Sequence, residues 1–318
     1  MTTASLTSLS VVMPVRNRAH LVGHSLKSVL DASRGVVEQG VQVEVIVTDD
    51  ASTDGTSDVV ASAQRTSPIP FRVLRFDTRQ GPARARNAAL DVAVGDLVVF
   101  VDSDVIVPEG FFKAHLEAHA KHGPQIYVMG ALVWVTTVEE ALRHPQPTIW
   151  DFSSRSLGTA NASVRREHLE AVGGFDPAFL GMGWEDSDLG RRLQKFGLKR
   201  CLVQEAVAYH VEPVITTQEQ LAARLEKERE RGMFAVHYLA KHPEFRTRLS
   251  AQATPVHRLL SWLFRMGGLV HEGNVLQWMD WARKRQRKTL EKIWFEGVIT
   301  KVYLESLRAA MADARAGK

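Results

Sequence analysis

Residues Val98–Val107 read VVFVDSDVIV, seven apolar residues around an Asp-Ser-Asp. With Gly95-Asp96-Leu97 ahead of it, the run predicts a buried strand over 95–104. A carboxylate is costly to bury unless something positive meets it. Residues i and i+2 of a strand share a side, so Asp102 and Asp104 would form a hard-oxygen site suited to Mg²⁺ or Mn²⁺ carrying a phosphate. The other reading is a strand ending in a solvated turn, with Asp104 as a cap.

Outward from that stretch, three more apolar runs read as strands: LSVVMPV (9–15), VQVEVIVTDD (41–50) and FRVLRF (71–76). Between them, Leu21, Val22, Ser25, Leu26, Val29 and Leu30 fall on one helical face. Ser52 or Thr53 is placed to cap a helix starting near Asp54, and Gly81-Pro82 turns into an Ala-rich helix. This β-α-β-α-β-α-β order predicts an α/β fold with a doubly wound, mostly parallel sheet and right-handed crossovers. Ligands of such sheets collect beyond the carboxyl ends of the strands, where the polar clusters Pro14–Arg18, Asp49–Asp54, Arg79–Asn87 and Asp102–Asp104 lie.

Beyond residue 110, QIYVMGALVWV (125–135) and KRCLVQEAVAYHV (199–211) read as strands. GTANASVRREHLEAVGGFDPAF reads as a small-residue loop, a short helix and a Gly-Gly turn. WEDSDLGRRLQKFG reads as a helix stopped by Gly197. From Gln218 the pattern is helical, with Leu290, Ile293, Trp294, Val298 and Val302 on one stripe. Two regions are expected: 1–217, with halves meeting near 107–108, and 218–318.

Of 318 residues, 45% are hydrophobic and 24% charged, an ordinary globular balance. The single cysteine, Cys201, excludes an internal disulfide and suits a reducing compartment. The first ten residues have no basic or apolar signal region, so a cytoplasmic protein is expected. Residues 1–217 hold 21 Lys and Arg against 25 Asp and Glu, whereas 218–318 hold 19 against 11. The excess positive charge therefore lies in the tail.

The remaining polar clusters each carry two readings. Asp49 and Asp50 are placed to accept hydrogen bonds from a ribose or base, or simply to form a turn and cap. Arg84 and Arg86 sit where guanidinium and helix N-terminus both favour phosphate, although a solvated helix suits at least one of them. Glu185-Asp186 beside Trp184, after Gly181 and Gly183, suits a general base in a partly dry cleft, or a capped helix with a core Trp. Asp188 reads as first-turn acid complementing the helix dipole. His210 is a structural histidine or a metal ligand. There is no Walker A loop, no G-x-G-x-x-G and no zinc spacing.

Together SVVMPVRNRAHLVGHSLKSVL, VEVIVTDDASTDGT, GPARARNAAL and DLVVFVDSDVIV resemble the nucleotide-binding half of family 2 glycosyltransferases, which have the GT-A fold. GGFDPAFLGMGWEDSDLGRRL resembles the acceptor-side motif of galactosyl- and N-acetylgalactosaminyltransferases. The resemblance covers about residues 8–212 and implies a mixed doubly wound sheet; the helical extension from about 218 lies outside it. It implies donor binding by Pro14, Arg16, Asp49, Asp50, Gly81, Arg86, Asp102, Ser103 and Asn161. It further implies Mn²⁺ or Mg²⁺ on Asp102, Asp104 and His210, Asp186 as catalytic base, and an acceptor pocket shaped by Gly183, Trp184 and Glu185. Met182 stands where many relatives have Trp, which bears on the donor sugar or acceptor stacking. The implied activity is inverting transfer from a nucleotide-sugar, UDP-hexose or UDP-N-acetylhexosamine, to a sugar, lipid-linked or peptide acceptor in polysaccharide or glycoconjugate synthesis.

The rivals are a non-catalytic nucleotide-sugar-binding protein and a nucleotidyltransferase. Nucleic acid is not an expected partner, because the basic excess is modest and no recognition motif is present. For the tail the first reading is a helical subdomain with a solvated basic face. A peripheral membrane surface and a homo-oligomerisation or acceptor-binding module are the others.

Overall fold

The apolar residues ahead of Asp102 do form a strand, but the chain turns before Asp104. In the computed structural model, which describes residues 6–148, 151, 156–181 and 183–316, eight strands form one sheet. They are β1 Ser8–Val15, β2 Gln42–Asp49, β3 Phe71–Arg75, β4 Leu97–Val101, β5 Val105–Ile106, β6 Ile126–Val135, β7 Asn161–Arg165 and β8 Lys199–Val211. Their order is β3-β2-β1-β4-β7-β6-β8-β5. The first four pair in parallel; β7 lies antiparallel to both β4 and β6, and β5 antiparallel to β8. The sheet is thus mixed, and chain order reverses direction at β1 and β4, the switch point where such sheets place their ligands.

The helices of this part are α1 Val22–Val37, α2 Thr56–Thr66, α3 Pro82–Leu90, α4 Phe111–His122, α5 Val138–Ala141, α6 Arg166–Ala171 and α7 Glu185–Lys195. The tail holds α8 Gln218–Lys241, α9 Phe245–Ser250, α10 Pro255–Phe264, α11 Val275–Lys284 and α12 Lys288–Ala316. Val22, Ser25, Leu26 and Val29 of α1 are buried, as the helical face required. Thr217 caps α8 reciprocally with Gln220.

Three expectations shift. The strand expected over 95–104 stops at Val101. Asp102 and Asp104 then sit in a turn closed by Val105 N–H donating to Asp102 O at 3.1 Å, which frees Val105 and Ile106 to pair with His210 and Tyr209. The helix expected near Asp54 starts at Thr56 behind a left-handed Gly55. Ser52 accepts from Asn17 N–H instead of capping it. The small-residue stretch around Asn161 is strand β7, not a loop.

The chain divides into two compact units: residues through Leu180 with Glu185–Pro213, and Gly181–Trp184 with Val214 onward. Leu9, Val11, Val45, Val99 and Phe111 help form the core of the first. Leu221, Val275, Trp294, Val298 and Val302 help form that of the second. Among the described residues no helix is long and apolar enough to cross a membrane.

Candidate active site

Parallel pairing brings the carboxyl ends of β1, β2 and β4 to one edge of the first unit. After β1, Arg16 donates to the Asp50 carbonyl at 2.8 Å; Pro14 pairs in register with Thr48. Asp49, fully buried, accepts from Ser52 N–H at 2.9 Å and from the Ser57 hydroxyl. The Asp50 carboxylate accepts from Gln80 N–H at 2.6 Å and Gly81 N–H at 3.0 Å, fixing the loop into α3. Both acids thus hold backbone turns. Gly81 needs to be glycine: its φ is +88°, and a Cβ there would lie 2.2 Å from the Leu180 carbonyl oxygen.

From α3, Arg86 reaches back under the sheet edge. Its buried guanidinium donates to Asp102 Oδ1 at 2.8 Å and Glu185 Oε1 at 3.1 Å. Burial opposes its charge, but Asp102, Glu185 and Asp186 outweigh it and hold its pKa above the ordinary arginine value. Arg84 points out and binds Gln80 Oε1 at 2.6 Å. Arg86 therefore meets carboxylates where a phosphate contact was expected.

Asp104, the other half of the pair, lies 3.2 Å from Arg18 Nε and 3.4 Å from His210 Nε2. Between the two acids, Ser103 is buried and its carbonyl accepts from Ser25 at 3.0 Å. The His210 ring packs 4.2 Å from Trp134, and its buried Nδ1 has no hydrogen-bond partner. Among the described residues no three His, Cys, Asp or Glu side chains converge as a metal cluster. Asp104 and His210 nonetheless fit a divalent ion as a pair: one hard oxygen, the imidazole Nε2 that faces it, and a separation too long for a strong hydrogen bond. Mg²⁺-type sites commonly use one or two carboxylates and take their other ligands from substrate phosphate.

Asp186 and Glu185 open α7, and both are buried. Asp186 Oδ1 accepts from Ser187 N–H at 2.6 Å. Asp188 is also buried and holds Arg192 at 2.8 Å, while Arg192 binds the carbonyls of Val172 and Gly174. It thus anchors the Gly-Gly turn besides complementing the dipole.

Two expected contacts are committed elsewhere. Asn161 donates to the carbonyls of Ala131 at 2.8 Å and Ala206 at 2.7 Å and accepts opposite His115, so both its amide hydrogens are spent inside the sheet. Trp184 is buried in the second unit. There it stacks on Tyr238 at 5.1 Å and donates its indole N–H to Arg231 O at 2.8 Å. Its φ is +79°, and Gly183 beside it is at +96°. Met182 lies outside the described residues. Two groups that the motifs do not single out are Arg18, close behind Arg16 in the same loop, and Asn87. The Asn87 carboxamide makes two hydrogen bonds of 2.8 Å to the Phe175 backbone.

The family model for glycosyl transferase family 2 matches residues 10–171, which contain this sheet edge. The chain belongs to that family. A second model, the N-terminal domain of galactosyltransferase, matches residues 144–214 and so includes α7. Validoxylamine A glucosyltransferase of Streptomyces hygroscopicus subsp. jinggangensis is 30% identical over 238 residues, covering 64% of this chain and 55% of the relative. The chain thus spans about half the length of the first curated relatives it matches. Among solved structures, mannosyltransferase PcManGT from Pyrobaculum calidifontis, in complex with GDP-Man and Mn²⁺, has a TM-score of 0.61 at 20% identity, covering 93% and 86% of the two chains. Staphylococcus aureus TarS 1-349 in complex with UDP-GlcNAc has a TM-score of 0.52 at 16%, covering 98% and 92%. At these identities the likeness establishes the shared fold, that of GT-A glycosyltransferases.

Proposed function

We propose that the protein is an inverting glycosyltransferase that uses a divalent ion, Mn²⁺ or Mg²⁺, to move a sugar from a nucleoside-diphosphate donor to an acceptor hydroxyl. The observation that carries this reading is the pairing of Asp104 with His210 on the same sheet edge where Arg86 ties Asp102 to Glu185, next to Asp186. A UDP-hexose or UDP-N-acetylhexosamine donor is supported by the UDP-GlcNAc complex of TarS. A glycosidic acceptor in polysaccharide or glycoconjugate synthesis suits a succinoglycan biosynthesis protein among the relatives.

Asp104 and His210 would hold the ion, with Asp102, expected as a third ligand, bound to Arg86 instead; when bound, the ion stabilises negative charge on the departing diphosphate as a Lewis acid. Asp186 takes the proton of the attacking acceptor hydroxyl. Attack from the face opposite the leaving group inverts the anomeric centre, so an α-linked donor yields a β-linked product. Arg86 keeps Glu185 and Asp102 in register, so that α7 and the strand-end turn present their acids together. Gly81 lets the donor-side loop run against the Leu180 carbonyl.

The test is a pair of variants measured separately for donor binding and transfer. Asp186→Asn should bind UDP-sugar nearly as well as the native protein while transfer falls roughly 10²–10⁴-fold. Asp104→Ala should lose the Mn²⁺ dependence of donor binding in calorimetry. Unchanged transfer in the first variant, or equal native binding in chelator, would remove the corresponding role.

A further inference from the structure

Helix α10 wears its apolar stripe on the outside. At helical spacing Val256, Leu259, Leu260 and Leu263 share one face, and Val256, Leu259 and Leu263 are 61%, 57% and 51% exposed. The side turned inward carries Ser261, whose hydroxyl donates to the Gly297 carbonyl at 2.9 Å and is buried. An ordinary surface helix buries the leucines and exposes the serine. The flanking segments repeat the inversion: Thr247 of α9 is buried while Phe245 and Leu249 are exposed, as are Met266 and Leu269 after α10. Water contact on so many large apolar side chains in one short segment is unfavourable, and such a surface marks an interaction site.

Charge selects the occupant. From Phe245 to His271 the chain has four arginines, 246, 248, 258 and 265, and no Asp or Glu. Arg248 and Arg258 are exposed. Trp262 is half exposed on the same helix, and an indole suits the boundary between headgroup and acyl chain. A second copy of the chain apposed face to face would set arginine against arginine with no acid in the segment to answer it. An anionic lipid surface answers both features at once, taking the apolar side chains into the acyl boundary and the guanidiniums of Arg248 and Arg258 onto headgroup phosphates.

We propose that α9, α10 and the turn after them dock this protein on an anionic membrane surface. The proposal stands on this face alone, and binding is read without donor or acceptor. The full chain is floated with neutral phosphatidylcholine vesicles and with vesicles enriched in phosphatidylglycerol. Binding to the anionic vesicles, weakened by added salt, is expected. The double variant Leu259→Ser/Leu263→Ser should lower partitioning about tenfold or more. Arg248→Glu/Arg258→Glu should abolish the preference for anionic lipid. All four positions are exposed, so melting temperatures should match the native chain. Absence of vesicle binding, or equal binding to neutral and anionic vesicles, overturns the proposal. So does a concentration-dependent dimer that the leucine variant dissolves without any vesicle binding, because the face would then belong to a second copy.

Discussion

Arg86 is the residue on which the sheet edge turns. Its guanidinium is buried between Asp102 and Glu185, with Asp186 close enough to act on its charge. Removing it takes from Asp102 and Glu185 the guanidinium that both bind, and breaking a buried pair of this kind costs about 3–5 kcal/mol. Arg86→Met should therefore lower unfolding stability by that order in denaturant titration. Arg86→Lys should recover only part of the loss, because an ammonium is a point charge and not a fork that spans two carboxylates. A Met variant as stable as the native chain would show that the Arg86 pairing adds nothing to stability. The sequence shows that an arginine opens a helix after a Gly-Pro turn. It cannot show that the partner is Glu185, 99 residues on. Charge type and local position are written in sequence, whereas the identity of a counter-charge depends on how the chain returns.

Among the elements, α4 and β7 share a buried polar seam. His115 lies 2.9 Å from Ser163 Oγ and 3.1 Å from Asn161 Oδ1, and His119 lies 3.0 Å from the same Ser163 hydroxyl. Burial pushes the His115 pKa down to about 4. Burial, with His115 and Arg165 nearby, pushes that of His119 to about 3. Both imidazoles are thus neutral when folded but take a proton near pH 6.5 when unfolded. The unfolded chain binds more protons below that value, so stability falls as pH drops, by up to about 1.4 kcal/mol per unit for each histidine. Between about pH 6.5 and 5, above the carboxylate range, thermal melts should show this loss, and His115→Gln/His119→Gln should flatten it. An equal slope in both proteins would assign it elsewhere. This seam also explains why β7 reads as a loop in sequence. Asn161, Ala162 and Ser163 lack the β-branched alternation that announces a strand, and their burial is met by hydrogen bonds instead of apolar area.

For the molecule as a whole, the central parallel strands are readable because each is a β-branched run buried on both faces, as in Val45-Ile46-Val47 of β2 and Val98-Val99 of β4. The edge that holds the candidate site follows from their order. The antiparallel members are less readable: β5 has two residues, and its pairing depends on a turn at Asp102–Asp104 that apolar pattern alone does not specify. The tail announces its helices by periodicity, yet period says nothing about which side faces in, and α10 faces the unexpected way.

The path of the chain has a practical consequence. It enters the second unit for four residues, Gly181–Trp184, returns for α7 and β8, and leaves the first unit for good at Val214. A fragment ending at Pro213 would keep the Trp184 indole but lose Tyr238 and the Arg231 carbonyl that enclose it. It would also leave Gly181 without Phe234, whose ring sits where a Cβ would be. Such a fragment should bind an environment-sensitive hydrophobic dye and migrate as aggregates on gel filtration, and the intact chain should bind less dye and aggregate less under the same conditions. A monomeric, dye-silent fragment would contradict this. Anyone wishing to graft this sheet-bearing unit onto another scaffold has to cut three covalent crossings, not one.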